Sequence, residues 1–392
     1  MDSMNFDFVL NTNAKFGSGR ALHLGTYLQE MSFHRPGIII DKGISDTPYV
    51  KKVIGNVKEK NFDNLVIWIY NIGAEPDYDS LDKIKKLFLN STGDPVVDCF
   101  VGIGGGSVID FAKGLATVVV NRGDAIQYRG FPTGLKRPLP TIALPTTAGT
   151  GSEVTYNAVF IDWKEKKKLG INTTMNFPAL AIIDPQFTIS SPQFVTVSSG
   201  MDAIVHAIGS YASPKSNPLT RLFAREAFRY LYDNLYSVID HPENSDIRAN
   251  IQYGAYLASV SLMNSSSDPA GALSYPLGVE FKVPHGIAGG VFLPHVIEHN
   301  VNKGFDYSEL YFLISKANPH LNLKKRNKHF SELMFELCNK LKVPVTLKVF
   351  GVTESNIGVL LKAAELRKAA FDLNPVEFSV DDAKKLLLKL VN

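Results

Sequence analysis

Val101-Gly102-Ile103-Gly104-Gly105-Gly106-Ser107-Val108-Ile109-Asp110-Phe111-Ala112-Lys113 is the stretch that decides the fold. It opens as the short apolar run of a buried strand and closes as a largely apolar helix. Three glycines between the two lack side chains, so backbone N–H groups can come close to an anion. Ser107 stands where it would cap the helix whose positive end faces that anion. A diphosphate fits such a turn. A plain tight strand-to-helix connection is the alternative, and the placement directly after a buried strand favours the anion site.

Working outward, Gly37-Ile38-Ile39-Ile40-Asp41, Leu65-Val66-Ile67-Trp68-Ile69 and Pro140-Thr141-Ile142-Ala143-Leu144 are runs of the same buried kind, with helix-length segments between them. That alternation predicts α/β layers on a mostly parallel sheet, which binds ligands at the carboxyl ends of its strands. Asp41 ends one such strand. A carboxylate there accepts hydrogen bonds from ribose hydroxyls and repels a 2′-phosphate, which favours NAD over NADP; helix N-capping is the other use of an Asp at that point. After Leu144 the chain runs Pro145-Thr146-Thr147-Ala148-Gly149-Thr150-Gly151-Ser152-Glu153, a loop rich in donors for ribose or phosphate oxygens or, alternatively, an ordinary Ser/Thr turn.

Beyond Ile182-Ile183-Asp184-Pro185 the texture changes. Leu219 to Leu235 and Arg248 to Met263 carry apolar residues at helical intervals with few β-branched clusters. The expected organisation is therefore a Rossmann-like dinucleotide-binding α/β domain over 1–184 and an all-helical domain over 185–392, a division that suits the 392-residue length.

Composition narrows the class. Hydrophobic residues make up 45% and charged residues 20%, the balance of a folded globular chain. The net charge is only +3, and the run Lys164-Glu165-Lys166-Lys167-Lys168 reads as a solvated turn, so no nucleic-acid partner is expected. Cys99 and Cys338 are the only cysteines, too few for a disulfide framework. No apolar run approaches the ~18–20 residues that cross a bilayer, and no signal-peptide pattern opens the chain; the expectation is a cytoplasmic protein.

In Ser199-Gly200-Met201-Asp202-Ala203-Ile204-Val205-His206, Asp202 and His206 share one face of an apolar helix. A carboxylate with an imidazole is half of a divalent-metal site, or else a buried Asp–His hydrogen bond. His285, in Val283-Pro284-His285-Gly286, is a third candidate. His295 and His299 have the same helical spacing and form either a rival pair or a helix-end pair.

Taken together, Gly104-Gly105-Gly106-Ser107-Val108-Ile109-Asp110, Pro145 to Glu153, Gly200-Met201-Asp202-Ala203 with His206, and Pro284-His285-Gly286 with Leu293-Pro294-His295-Val296 resemble the iron-containing (group III) alcohol dehydrogenase family. The likeness runs in order from Phe16-Gly17-Ser18-Gly19 to Asn374-Pro375, nearly the whole chain. It implies the two-domain, dehydroquinate synthase-like architecture, a nicotinamide cofactor, and a divalent metal, iron or zinc. By that resemblance Asp41 reads the ribose, Gly104, Gly105, Gly106 and Ser107 the diphosphate, Thr146, Thr147 and Thr150 the rest of the dinucleotide, and Lys168 a further cofactor contact. Asp202, His206 and His285 match three of the family's four metal ligands.

The fourth position departs from the pattern. Asp268-Pro269-Ala270-Gly271-Ala272-Leu273-Ser274-Tyr275-Pro276-Leu277-Gly278 carries Gly271 in place of the ligand histidine and Tyr275 in place of a second histidine. A metal on three protein ligands, a replacement by Asp268, or an empty site with Tyr275 or a histidine polarising the oxygen are the readings this leaves open. The implied activity is hydride transfer between NAD, or NADP, and an alcohol or aldehyde, with Tyr275 and His285 as catalytic candidates. Ser274-Tyr275-Pro276-Leu277 points to a polar, sugar-like or phosphonate-like substrate, and a homodimer is the expected assembly. A dehydroquinate synthase-like cyclase using NAD transiently, and a non-catalytic nucleotide binder, are the rivals.

Overall fold

The computed structural model describes residues 5–72, 75–266, 268–365 and 368–392. The apolar runs fold as strands: β1 (Asn13–Phe16), β2 (Pro36–Asp41), β3 (Val66–Tyr70), β4 (Cys99–Gly104), β5 (Thr141–Pro145), β6 (Asn157–Asp162), β7 (Lys167–Asn172) and β8 (Leu180–Ile183). Helices α1 (Leu24–Glu30), α2 (Lys42–Ser45), α3 (Pro48–Lys58), α4 (Tyr78–Lys85), α5 (Gly106–Val118) and α6 (Gln186–Ile189) lie among them. The rest of the chain is helical: α7 (Gln193–Ala212), α8 (Pro218–Val238), α9 (Ser245–Met263), α10 (Pro269–Phe281), α11 (His285–Asn302), α12 (Ser308–Tyr311), α13 (Leu323–Lys340), α14 (Ile357–Glu365), α15 (Lys368–Phe371) and α16 (Val380–Val391).

The chain divides into two units, Leu10–Ser191 and Pro192–Asn392, the second taking in the N-terminal residues up to Val9. Asp184 lies within the first unit, where its carboxylate accepts from the backbone N–H groups of Gly19, Ala21 and Gln186 and from the Tyr49 hydroxyl. At the other end Val9 joins the helical unit through a two-way hydrogen bond with Asn264, at 2.6 and 2.9 Å.

In the first unit a six-stranded parallel sheet runs in the order β1-β8-β5-β4-β2-β3. Apolar side chains on one face pack with α1 and α3, and those on the other with α4 and α5. Strand β4 is buried along its whole length, as expected for a central parallel strand. The connection from β2 to β3 runs through α3 on one face, and that from β4 to β5 through α5 on the other. Because β2 and β4 are neighbours, the direction of winding reverses between them, and a crevice opens at their carboxyl ends. The lysine-rich run proves to be the turn of the antiparallel β6–β7 hairpin, with Lys166 in the left-handed region at φ 51 and Lys167 already in β7.

In the helical unit α7 packs against α8, α9 and α11, which explains why most of its residues are apolar or small. Helix starts are chemically marked. Asn217 and Thr220 form a capping box for α8, and Asp268 caps α10 with Pro269 at its first position. Among the described residues no helix is long and apolar enough to cross a membrane.

Candidate active site

At the switch point of the sheet, Asp41 closes β2 and the triple glycine closes β4. Helix α5 begins at Gly106, and its N-cap is Gly105, with φ −71 and ψ −175, not Ser107. Ser107 is therefore a first-turn residue, because the extended Gly105 lets the helix start earlier than a serine cap would. None of the three glycines has a positive φ; at Gly106 the requirement is space. A Cβ there would come within 2.6 Å of Thr150 Oγ1, so the triple-glycine turn and the hydroxyl-rich loop interlock. Thr146 N–H donates to Gly104 C=O at 3.0 Å and holds the two turns side by side. The result is a backbone cradle with threonine hydroxyls beside it, at the positive end of a helix, and a diphosphate fits this donor set.

Asp41 Oδ1 accepts from Gly43 N–H at 2.7 Å and caps α2. Lys168, on β7, makes an ion pair with Glu75 at 2.8 Å. Its Nζ is thus held by a carboxylate of its own unit.

In the helical unit the acid and both imidazoles come together. Asp202 is buried at 5% exposure. Its Oδ1 lies 3.5 Å from His206 Nε2 and 3.9 Å from His285 Nε2. Two ligands of a tetrahedral zinc, each about 2.0–2.2 Å from the ion, sit about 3.4 Å apart, so these spacings are close to what one ion would need. As the side chains stand, no group of three His, Cys, Asp or Glu among the described residues closes fully around a single point. Two pairs share Asp202.

What brings His285 there is local. Pro284 caps α11, and Gly286 follows His285 at a point where a Cβ would lie 1.8 Å from Ser198 C=O on α7. Only glycine allows that approach. The ring is then oriented by Ser274, a residue that sequence reasoning did not single out. Ser274 Oγ–H donates to Gly271 C=O at 2.6 Å, its one proton is thereby used, and it accepts from His285 Nδ1 at 2.7 Å. With the Ser274 proton so used, Nδ1 is the ring's donor and Nε2, 3.9 Å from Asp202 Oδ1, is the nitrogen left without a proton, the tautomer a metal ligand needs. The signal in the sequence was a polar residue inside the apolar turn between Gly271 and Tyr275.

Tyr275 is half-buried, with its ring edge-on to His285 at a centroid distance of 4.7 Å. Gly271 sits in the first turn of α10, and its N–H donates to Asp268 Oδ1 at 2.9 Å. Burial pushes the Asp268 carboxyl up to about 6, against the pull of that hydrogen bond and of His206. His206 Nδ1 is buried with no hydrogen-bond partner among the described residues. His295 and His299 are used elsewhere: burial and Lys389 hold His295 down at about 4, and His299 Nε2 meets Glu377 C=O at 2.8 Å.

A glycine-turn cradle at an α/β switch point and an acid–imidazole cluster on a helical unit are the features of a two-unit, dinucleotide-dependent enzyme with a metal-type site. Residues 11–185 match the family described as iron-containing alcohol dehydrogenase, and residues 196–391 its C-terminal domain. Among relatives, the chain is 32% identical to a 1,3-propanediol dehydrogenase of Citrobacter freundii, over 92% of both chains. It is 27% identical to an NAD-dependent methanol dehydrogenase of Bacillus methanolicus, over 97% of this chain and 98% of that one. The solved structure of a sulfoacetaldehyde reductase from Bifidobacterium kashiwanohense in complex with NAD+ superposes with a TM-score of 0.87 at 25% identity, covering 100% of both. The chain belongs to the iron-containing alcohol dehydrogenase family and has its fold, a Rossmann-like unit followed by a helical one.

Proposed function

We propose that the chain reduces a polar or anionic aldehyde to the alcohol with NADH, and runs the reverse reaction with NAD+. The observation that carries the reading is the interlocked pair of turns at the ends of β4 and β5, joined by the Thr146–Gly104 hydrogen bond and the Gly106–Thr150 contact. Gly104, Gly105, Gly106 and Ser107 would hold the diphosphate, Thr146, Thr147 and Thr150 the adjoining oxygens, and Asp41 the adenine ribose. Lys168, with Glu75 beside it, would approach the cofactor from β7. Bound there, the nicotinamide supplies or accepts the hydride.

Asp202, His206 and His285 would hold a divalent metal, iron or zinc, as a three-ligand set. The metal, when bound, polarises the substrate oxygen as a Lewis acid. The residues do the rest. Ser274 fixes the His285 tautomer, and Asp202 balances charge between the two imidazoles. Tyr275, against the His285 ring, is the group that gives the alkoxide oxygen its proton in the reducing direction, and the same proton returns in oxidation.

The polar substrate class is supported by Tyr275, whose ring lies against His285, and by the likeness to a protein that reduces sulfoacetaldehyde. A homodimer is proposed from β1, whose outer edge has no strand beside it among the described residues. A cytoplasmic setting is proposed from two buried free thiols. The test is reduced-nicotinamide absorbance during incubation with a panel of sulfonated, phosphonated, sugar and plain short-chain aldehydes, with iron or zinc added back. Faster turnover of the anionic or sugar members is expected. Saturable NADH binding without turnover of any member would overturn the reading.

A further inference from the structure

We infer that Lys113 is a positioning residue for the dinucleotide: with Asp110 it clamps residues 152–159 to helix α5, and so fixes the hydroxyl-rich loop against the triple-glycine turn. This rests on the reading of those two turns as the cofactor cradle. Lys113 lies about two helical turns beyond Gly106, too far along α5 to belong to the cradle itself, and is completely buried at 0% exposure. Its Nζ donates to Thr155 C=O at 2.8 Å and Asn157 C=O at 3.0 Å, and lies 3.6 Å from Asp110 Oδ1. The other Asp110 oxygen accepts from Val159 N–H at 3.0 Å. Two side chains one turn apart on α5 thus hold three backbone groups of one segment.

A buried ammonium carries a desolvation cost that an apolar side chain of the same length would not. The charge is therefore explained by what it holds. The Thr155 and Asn157 carbonyl oxygens, just before and at the start of β6, accept from a donor that reaches them from α5, and a buried carbonyl left without a donor is costly. The segment begins just after Thr150, whose side chain fills the space left by Gly106. If residues 152–159 slip along α5, Thr150 leaves Gly106, and the two turns no longer present their donors to one ligand. Glu153, in the same buried cluster, is pushed up to about 7 by burial against the pull of Lys113, which marks how little water reaches the clamp.

The experiment is isothermal titration of the full-length protein with NAD+, for wild type, Lys113→Met and Lys113→Gln, together with KM for cofactor and aldehyde. Met keeps the length and apolar bulk of the stem; Gln restores N–H donors without charge. Lys113→Met should weaken NAD+ binding by about tenfold and raise the cofactor KM in step, with the aldehyde KM changed by no more than about twofold; Lys113→Gln should recover part of the loss. Unchanged NAD+ affinity in Lys113→Met, even with a lower melting temperature, overturns the inference and leaves the cradle standing. Wild-type protein that does not bind NAD+ overturns the cradle instead. Should both variants fail to fold, amide exchange on the wild type decides: the Val159 amide and the backbone of 152–157 should be protected as strongly as α5, and rapid exchange there beside a protected α5 overturns the clamp.

Discussion

Gly271 occupies the position at which the family resemblance places a metal-binding histidine, yet the structure around it is not that of a ruined site. The Gly271 carbonyl anchors Ser274, which orients His285, and the Gly271 N–H satisfies the cap Asp268. Both are main-chain roles, so Gly271→His leaves them intact while adding a ligand. Metal retained after dialysis, measured by elemental analysis, should rise, with affinity up by about tenfold or more; no gain would show that position 271 does not face the ion. The converse variant is Ser274→Ala. It removes the acceptor that holds the His285 proton on Nδ1, and metal affinity should fall by about tenfold, seen as a loss of the metal-induced rise in melting temperature. An unchanged metal response in Ser274→Ala would remove Ser274 from the site.

At the scale of elements, Asp41 serves two demands at the end of β2, the cap of α2 and the charge offered to a ribose. Asp41→Asn separates them, because an amide oxygen still accepts from Gly43 N–H but no longer repels a phosphate. The ratio of kcat/KM for NADH over NADPH should fall by about tenfold with little change in melting temperature. An unchanged ratio would confine Asp41 to capping. The same element shows why much of the fold could be read from sequence. β2, β4 and β5 announce themselves as buried runs, and the glycine turn falls where β4 ends; β3, read the same way, is an edge strand with Ile69 exposed, because no strand lies beyond it in the sheet among the described residues. The Ser107 assignment failed because a glycine can cap when its backbone is extended. The α5 clamp was illegible because Lys113 and Asp110 bond to main-chain groups some forty residues away, and no side-chain pattern records where carbonyls will point. Asp202, His206 and His285 were legible as residue types. Their shared Asp202 oxygen depends on how closely α11 approaches α7, which in turn depends on Gly286.

For the molecule as a whole, the buried clamp should shape how stability varies with pH. Glu153 has its folded pKa raised to about 7 from an ordinary value of 4.5, chiefly by burial, with Lys113 opposing and Asp110 reinforcing the rise. The folded state therefore holds more protons than the unfolded one between those two values. Stability contributed by this group is full below about pH 4.5, falls as pH rises to about 7, and is level above. At about 1.4 kcal/mol per pKa unit the fall is on the order of 3–4 kcal/mol at most. Asp110, also raised, adds a decline of the same sign that begins lower, near its ordinary 3.8. Lys113, lowered by burial, acts in the opposite sense over the range below its ordinary 10.5, so the part due to Glu153 is read from the difference between wild type and Glu153→Gln. The molecule offers a reporter for this unit alone, because both tryptophans, Trp68 and Trp163, lie within Leu10–Ser191. Urea unfolding followed by tryptophan fluorescence should therefore show a contribution from Glu153 that lowers the wild-type midpoint from pH 5 to pH 7. In Glu153→Gln, where that position no longer titrates, the drop should be clearly smaller. A Glu153→Gln profile that parallels the wild type would mean that Glu153 ionises in the folded protein as it does in water.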